Sequence, residues 1–342
     1  MRIVEVIRLK KISKLVLPLL LTFSVILSAC GNNAPANTSG NASAESSQSN
    51  GAGSNASANA ADTSADTGYV PETLTVQFVP SQNADTLEAK AKPLEQLLSD
   101  RLGIPVKVSV STDYNTIIEA MASKQVDVGF LPPTAYVLAK DKGAAEVILQ
   151  AQRYGVQDET GAPTDELVDF YKAMIIVKTD SDIQSVADLK GKKIAYQNVT
   201  SSAGYVWPAA KLQEAGLDPL SDVEPITVKG HDQGVIAVLN GDVDAAAIFQ
   251  DARNTVVKDY PTVFEDTRVL TYTEPIPNDT ISVRSDMNAE WVQKLKDAFI
   301  EIGKDPEGHQ IIADIYTHEG YVESNDSVFD IVREYNEKVK TE

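Results

Sequence analysis

The chain has 342 residues, 23% of them charged and 43% hydrophobic, with 49 acidic residues against 30 lysines and arginines and a net charge of −19. That length suits two cores better than one. A body this acidic lacks the Lys/Arg stripes that a phosphate backbone demands, so no nucleic-acid partner is expected. The single cysteine, Cys30, excludes an intrachain disulfide and a cysteine-based metal or redox cluster.

Taken in order, the chain opens on an address. Arg2, Arg8, Lys10, Lys11 and Lys14 precede an apolar run from Leu15 to Leu27, too short to cross a bilayer comfortably, which takes about 20 residues. Leu27-Ser28-Ala29-Cys30 follows. This order of charge, apolar core, small residues and cysteine resembles a bacterial lipobox. The resemblance implies that residues 1–29 are a lipoprotein signal peptide and that Cys30 carries lipid at the mature N-terminus. Residues 1–29 sum to +4, which leaves the remainder at −23. Residues 30–70 are Ser, Ala, Asn and Gly with almost no large apolar side chain, so they read as a disordered tether between the membrane and a folded body.

From Glu72 onward strands and helices alternate. Strands are expected at 74–79, 106–110, 126–130, 147–151, 173–178, 193–196, 223–227, 245–249, 269–273 and 281–283. Helices are expected at 85–102, 114–123, 133–140, from 205 to 215 and over 231–239, with a short turn at 186–189. The tail is helical, with Trp291, Leu295, Ala298, Phe299 and Ile302 on one face, then 311–315 and 328–335. Alternation of this kind predicts an α/β fold with mostly parallel sheets and helices on both faces. Ligands of such sheets sit beyond the carboxyl ends of the strands.

The stretch Tyr196–Gly216, Y-Q-N-V-T-S-S-A-G-Y-V-W-P-A-A-K-L-Q-E-A-G, is the most informative. A strand ends at Tyr196, a helix runs from Tyr205, and Thr200, Ser201, Ser202, Ala203 and Gly204 lie between. Small hydroxyl residues at such a turn cap the helix. They also aim amides and hydroxyls outward from the positive end of its dipole, which makes an anion site. Four other junctions have the same chemistry: Pro80-Ser81-Gln82-Asn83, Ser111-Thr112-Asp113-Tyr114, Pro132-Pro133-Thr134 and Gly230-His231-Asp232. Five such turns on one cleft would make a receptor for a small anion. No Gly-rich nucleotide fingerprint and no internal repeat occurs. Asp242 and Asp244 read as turn acids rather than a metal loop, and no cofactor is expected. His309 and His318 read as surface residues, and Trp207 and Trp291 as packing.

The blocks S-Q-N, T-D-Y-N-T-I-I-E-A-M, V-D-V-G-F, T-S-S-A-G-Y-V-W-P-A-A, G-H-D-Q-G-V-I-A-V-L-N-G-D-V-D-A-A and I-P-N-D, in that order, resemble the phosphate/phosphite/phosphonate-binding proteins of ABC importers. The resemblance spans the folded part from Leu74 to the C-terminal helices. It implies a two-lobed periplasmic binding protein fold of type II with two hinge crossings, expected near Lys178–Asp182 and Glu274–Asp279. Lobe one would be residues 72–178 with 279–342, and lobe two residues 179–278.

What the resemblance implies for the site follows residue by residue. Tyr114 matches an aspartate-tyrosine block whose phenol donates to a ligand oxygen. Ser201 and Ser202 match a Ser-Thr-Ser-Gly turn; Ala203 stands where the last serine would be, unless Thr200 supplies that hydroxyl through a one-residue shift. His231, Asp251 and Asp279 match a histidine and two acids of the same family. An ionised Asp can only accept a hydrogen bond, so Asp251 and Asp279 would read a P–OH proton or an amine and thereby reject sulfate. The expected partners are a small phosphorus oxyanion, an ABC permease and, through Cys30, the cell membrane. A monomer outside the cytoplasm without enzymatic activity is expected. Rival readings are an anion-binding sensor domain, a sulfonate or thiamine-precursor binder, and a serine hydrolase pairing Ser201 or Ser202 with His231. The hydrolase would lack the G-x-S-x-G elbow.

Overall fold

The structure, a computed structural model, describes residues 68–158, 162–250 and 252–340. Two mixed α/β lobes are each built on one sheet. The larger sheet has seven strands. Six run in the order Gly320–Glu323, Ala145–Val156, Thr280–Arg284, Val128–Leu131, Leu74–Phe78, Val106–Val110, and Pro163–Val168 pairs with the outer half of Ala145–Val156. The smaller sheet runs Thr267–Tyr272, Ala173–Lys178, Ala245–Phe249, Lys193–Tyr196, Glu224–Thr227.

The strand–helix–strand units pair in parallel as expected: Leu74–Phe78 with both Val106–Val110 and Val128–Leu131, and Lys193–Tyr196 with both Ala245–Phe249 and Glu224–Thr227. The other strands add antiparallel pairs, among them Thr280–Arg284 with Val128–Leu131 and Ala173–Lys178 with Ala245–Phe249. The sheets are therefore mixed rather than mostly parallel. A strand that enters a sheet from the hinge needs no crossover helix, and its direction is free.

The strand Ala173–Lys178, assigned to lobe one from sequence, lies in the five-stranded sheet between Thr267–Tyr272 and Ala245–Phe249. The first crossing therefore precedes this strand. The two segments that pass between the sheets are themselves paired: Phe170–Tyr171 and Ile276–Pro277 form an antiparallel ribbon, Tyr171 opposite Ile276.

Packing explains the rest. The stripe read from the tail holds, with Trp291, Leu295, Ala298, Phe299 and Ile302 buried on the helix Ala289–Lys304. Phe299 meets Phe130 edge-on at 5.6 Å, and Phe130 stacks on Phe78 at 4.2 Å. Lobe two closes on Met174, Ile176, Val235, Val238, Ala246 and Ile248. The single helix expected over 85–102 is two, Ala84–Ala91 and Leu94–Leu102, because Pro93 has no N–H to continue the ladder. The ribbon made by Ala145–Val156 and Pro163–Val168 was not expected. Its second strand is mostly exposed and lacks the apolar alternation that marks a strand.

Candidate functional site

The five strand-to-helix turns meet across the gap between the lobes. Lobe two supplies a helix that begins with a wide turn at Ser202–Val206 and continues as Trp207–Glu214. Ser201 caps it, its Oγ accepting from the Gly204 amide at 3.1 Å. The next helix, His231–Asn240, starts at Gly230. Lobe one supplies the helix Tyr114–Ala122, capped by Asp113, and the helix Pro133–Asp141.

Several bonds join the lobes at these ends. The His231 amide donates to the Ser81 carbonyl at 2.9 Å, and Asn198 donates to the Asp113 carboxylate at 2.8 Å. Thr134 N–H donates to Ser202 Oγ at 2.9 Å, and Ser202 in turn donates to Thr134 Oγ1 at 2.9 Å. Gly230 lies so close to Gln82 that an added Cβ would stand 3.1 Å from the Gln82 backbone. Lobe one and lobe two are thus in contact around the cleft.

Between them is a cavity of about 230 Å³, lined by Tyr114, Ser201, His231 and Asp279 of the expected set. That volume falls below the range of about 300–1,000 Å³ usual for drug-sized ligands and suits a compact guest. Two expected hydroxyl residues, Thr200 and Ser202, are not among the lining residues. Thr200 donates to the Asn198 side chain at 2.8 Å, and Ser202 bonds Thr134 while also interacting with the Tyr171 phenol of the cavity wall. Successive residues of a helical turn lie about 100° apart, so the capping position and its neighbours cannot all face one point. Ala203 does line the cavity, without a hydroxyl. Asp251 and Cys30 lie outside the described residues.

Several cavity residues were not foreseen, Lys90 and Asp314 among them. Arg153, from Ala145–Val156, places its guanidinium 4.8 Å from the centre of the Tyr171 ring, and Tyr171 belongs to the hinge ribbon. Tyr316 and Phe249 complete an aromatic wall. The only sequence signal for Tyr171 was an aromatic beside a crossing. Nothing local marked Arg153.

Beside the cationic Arg153 and Lys90, the wall offers neutral donors. Burial holds the Tyr114, Tyr171 and Tyr316 phenols well above their ordinary range, so each keeps its proton. Burial likewise pushes His231 down to about 3, and the ring is neutral. Its Nδ1 accepts from the Phe249 amide at 3.2 Å, which leaves the proton on Nε2. His231 therefore offers an N–H rather than a lone pair. With Nε2 protonated it is a poor base for Ser201. Asp279 adds the carboxylate, an acceptor among donors. Among the described residues no cluster of His, Cys, Asp or Glu could hold a metal ion, and no helix is long and apolar enough to cross a membrane.

His318, expected at the surface, is instead buried beside Asp279, with Nε2 at 3.6 Å from Oδ2. His309 is partly exposed and paired with Glu319 at 2.6 Å. Trp207 and Trp291 are packing residues, as expected.

Comparison with known proteins adds the following. The profile of a family described as "ABC transporter, phosphonate, periplasmic substrate-binding protein" matches residues 76–329. A phosphate-import protein of Mycolicibacterium smegmatis is 33% identical over 187 residues, 52% of this chain and 56% of that protein, so the match spans little more than half of the relative. A phosphonates-binding periplasmic protein of Escherichia coli is 24% identical over 245 residues, 70% of this chain and 69% of that one. Among solved structures, a Prochlorococcus marinus protein in complex with methylphosphonate superposes with a TM-score of 0.67 at 18% identity, covering 79% of this chain and 99% of the other. That likeness concerns the fold, which is of the type II periplasmic binding protein class.

Proposed function

The chain belongs to the phosphonate periplasmic substrate-binding protein family of ABC transporters, whose profile covers well over half of it, and from that premise we propose that it captures a small phosphorus oxyanion between its lobes and delivers it to an ABC permease. Phosphonate, phosphite and phosphate are the candidate ligands. The observation that carries the reading is the meeting of Tyr114, Ser201, His231 and Asp279, from four separate segments of both lobes, around one cavity. Three of them offer protons to an oxyanion. Each hydrogen bond to a charged ligand contributes roughly 1.5–3 kcal/mol.

The body left after residue 29 carries −23, so attraction at long range does not bring the anion in. Short-range donors must hold it against an unfavourable field. Asp279 accepts a hydrogen bond from a P–O–H proton that the ligand retains, and the other expected acid, Asp251, has the same role in this reading. Lobe two, with Ser201 and His231 preset on its turns, takes the ligand first. The lobes then turn about the paired segments Phe170–Tyr171 and Ile276–Pro277. Lipid on Cys30 and a tether through residue 70 hold a monomeric body at the outer face of the membrane. The site binds and releases without chemistry.

The test is a thermal-shift panel of phosphate, phosphite, methylphosphonate, 2-aminoethylphosphonate and sulfate. A ligand of the folded state raises stability by RT ln(1 + [L]/Kd), about 2.7 kcal/mol at a hundredfold excess over Kd. One or more phosphorus oxyanions should raise the melting temperature and sulfate should not. No shift with any phosphorus compound would remove the proposal.

A further inference from the structure

His318 lies between the C-terminal end of the helix Pro306–Tyr316 and the strand Gly320–Glu323, with its ring edge-on to Tyr316 and Tyr321. It is 1% exposed. Its Nδ1 is 3.3 Å from the Tyr321 hydroxyl. Its Nε2 has no hydrogen-bond partner among the described residues and stands 3.6 Å from Asp279 Oδ2. A buried nitrogen is thus aimed, just beyond hydrogen-bonding length, at a carboxylate that lines the cavity. Leaving such a group unsatisfied is costly, so a role for it is indicated.

The tautomer follows from the neighbours. An ionised carboxylate only accepts, and a tyrosine hydroxyl can donate to a bare ring nitrogen. The consistent arrangement has Tyr321 donating to Nδ1 and the proton on Nε2, facing Asp279. Burial favours the neutral ring, and Asp279 opposes that shift. Of the other charged groups that bear on the ring, Arg153 works against protonation and Glu319 for it. A neutral His318 thus turns an N–H toward Asp279 Oδ2, 3.6 Å away.

We propose that His318 is a positioning residue that holds Asp279 with its acceptor oxygens in line with the cleft, so that the cleft selects oxyanions retaining a P–O–H proton over sulfate and sulfonates. The inference rests on the reading that Asp279 faces the ligand. A fully deprotonated anion meets an acceptor with no proton to share, whereas a hydrogen phosphonate or hydrogen phosphate donates to it. Without His318, Oδ2 loses the N–H that faces it and the acceptor can turn out of line.

The experiment compares the wild type with His318→Phe and His318→Gln by calorimetric titration of methylphosphonate, with sulfate as competitor, across about two pH units around neutrality. Phe keeps a flat ring in the aromatic slot and removes both nitrogens; Gln keeps an N–H donor. His318→Phe should lower the preference for methylphosphonate over sulfate by at least about tenfold and move the pH profile of binding. His318→Gln should restore most of the preference. A Phe variant that weakens both ligands equally with the pH profile unmoved would overturn the proposal, as would a Gln variant that discriminates no better than Phe.

If the Phe variant does not fold, nitrogen-15 NMR of the wild-type ring decides. A proton on Nε2 alone near neutral pH supports the assignment, and a proton on Nδ1 or on both nitrogens refutes it. A wild type that binds no phosphorus oxyanion would refute the function proposed above. A wild type that binds methylphosphonate while the variants discriminate as it does would refute only the role of His318.

Discussion

Lobe two meets the cavity with its own helix starts, whereas lobe one meets it with side chains gathered from distant parts of the chain. Ser201 and His231 stand at the first turns of successive helices of one small sheet. Tyr114, Arg153, Asp279 and Tyr316 come from four segments of lobe one that are separated by up to two hundred residues. The difference is one of preorganisation. The lobe-two donors are fixed by local capping geometry and do not depend on the partner lobe. The lobe-one acceptor reaches them only when the lobes meet. In the proposed function, this division gives generic oxyanion holding to lobe two and discrimination to lobe one.

The strongest way to break this division is Asp279→Asn. The change keeps shape and removes the charge. Loss of a charge-assisted hydrogen bond of roughly 1.5–3 kcal/mol should weaken methylphosphonate by about 10- to 150-fold, while sulfate gains relative affinity. Equal affinities before and after, read by calorimetry, would place discrimination elsewhere.

A second test uses acid. His231 titrates near 3 in the folded protein, against an ordinary value of about 6.5. Between those values the unfolded chain binds the extra proton, so stability rises with pH. Acidification from neutrality should therefore cost up to about 1.4 kcal/mol per pH unit below pH 6.5 from this residue alone, and His318 adds a loss of the same sign. Melting temperatures of the wild type and His231→Phe should diverge at neutral pH and converge on acidification. A constant difference between them would mean that the folded ring titrates normally.

The smallest effect concerns closure itself. Gly230→Ala adds a methyl against the Asp232 carboxylate and 3.1 Å from the Gln82 backbone of the other lobe. Overpacking of this order costs about 1 kcal/mol or more. We expect ligand affinity to fall about fivefold and the ligand-dependent decrease in radius of gyration, measured by X-ray scattering, to shrink. If lobe two alone set the affinity, the substitution would leave it unchanged.

How much of this was legible depended on whether a residue's role is local. The turn from Thr200 to Gly204 could be read because capping chemistry is written in consecutive residues, and Tyr114 follows its cap Asp113 in the same way. The division of labour among Thr200, Ser201 and Ser202 was not legible, since it depends on a wide first turn and on Thr134 across the cleft. Ala173–Lys178 could be recognised as a buried strand from A-M-I-I-V-K, but an apolar run does not say which sheet will take it. His318 looked solvent-facing among Thr317, Glu319 and Gly320. Its burial comes from Tyr316 and Tyr321 closing on the ring, which is a property of the folded tail.

The stacked rings of Trp207 and Tyr335, 4.3 Å apart and within 5° of parallel, give this molecule a built-in optical gauge. The indole belongs to the small lobe and the phenol to the terminal helix Asp330–Val339, which also packs against Pro133–Asp141 of the large one. Emission from Trp207 will change during domain rotation if the rings separate, without any attached dye. A spectrum that stays constant while scattering reports opening would instead identify the terminal helix as cargo of the small lobe.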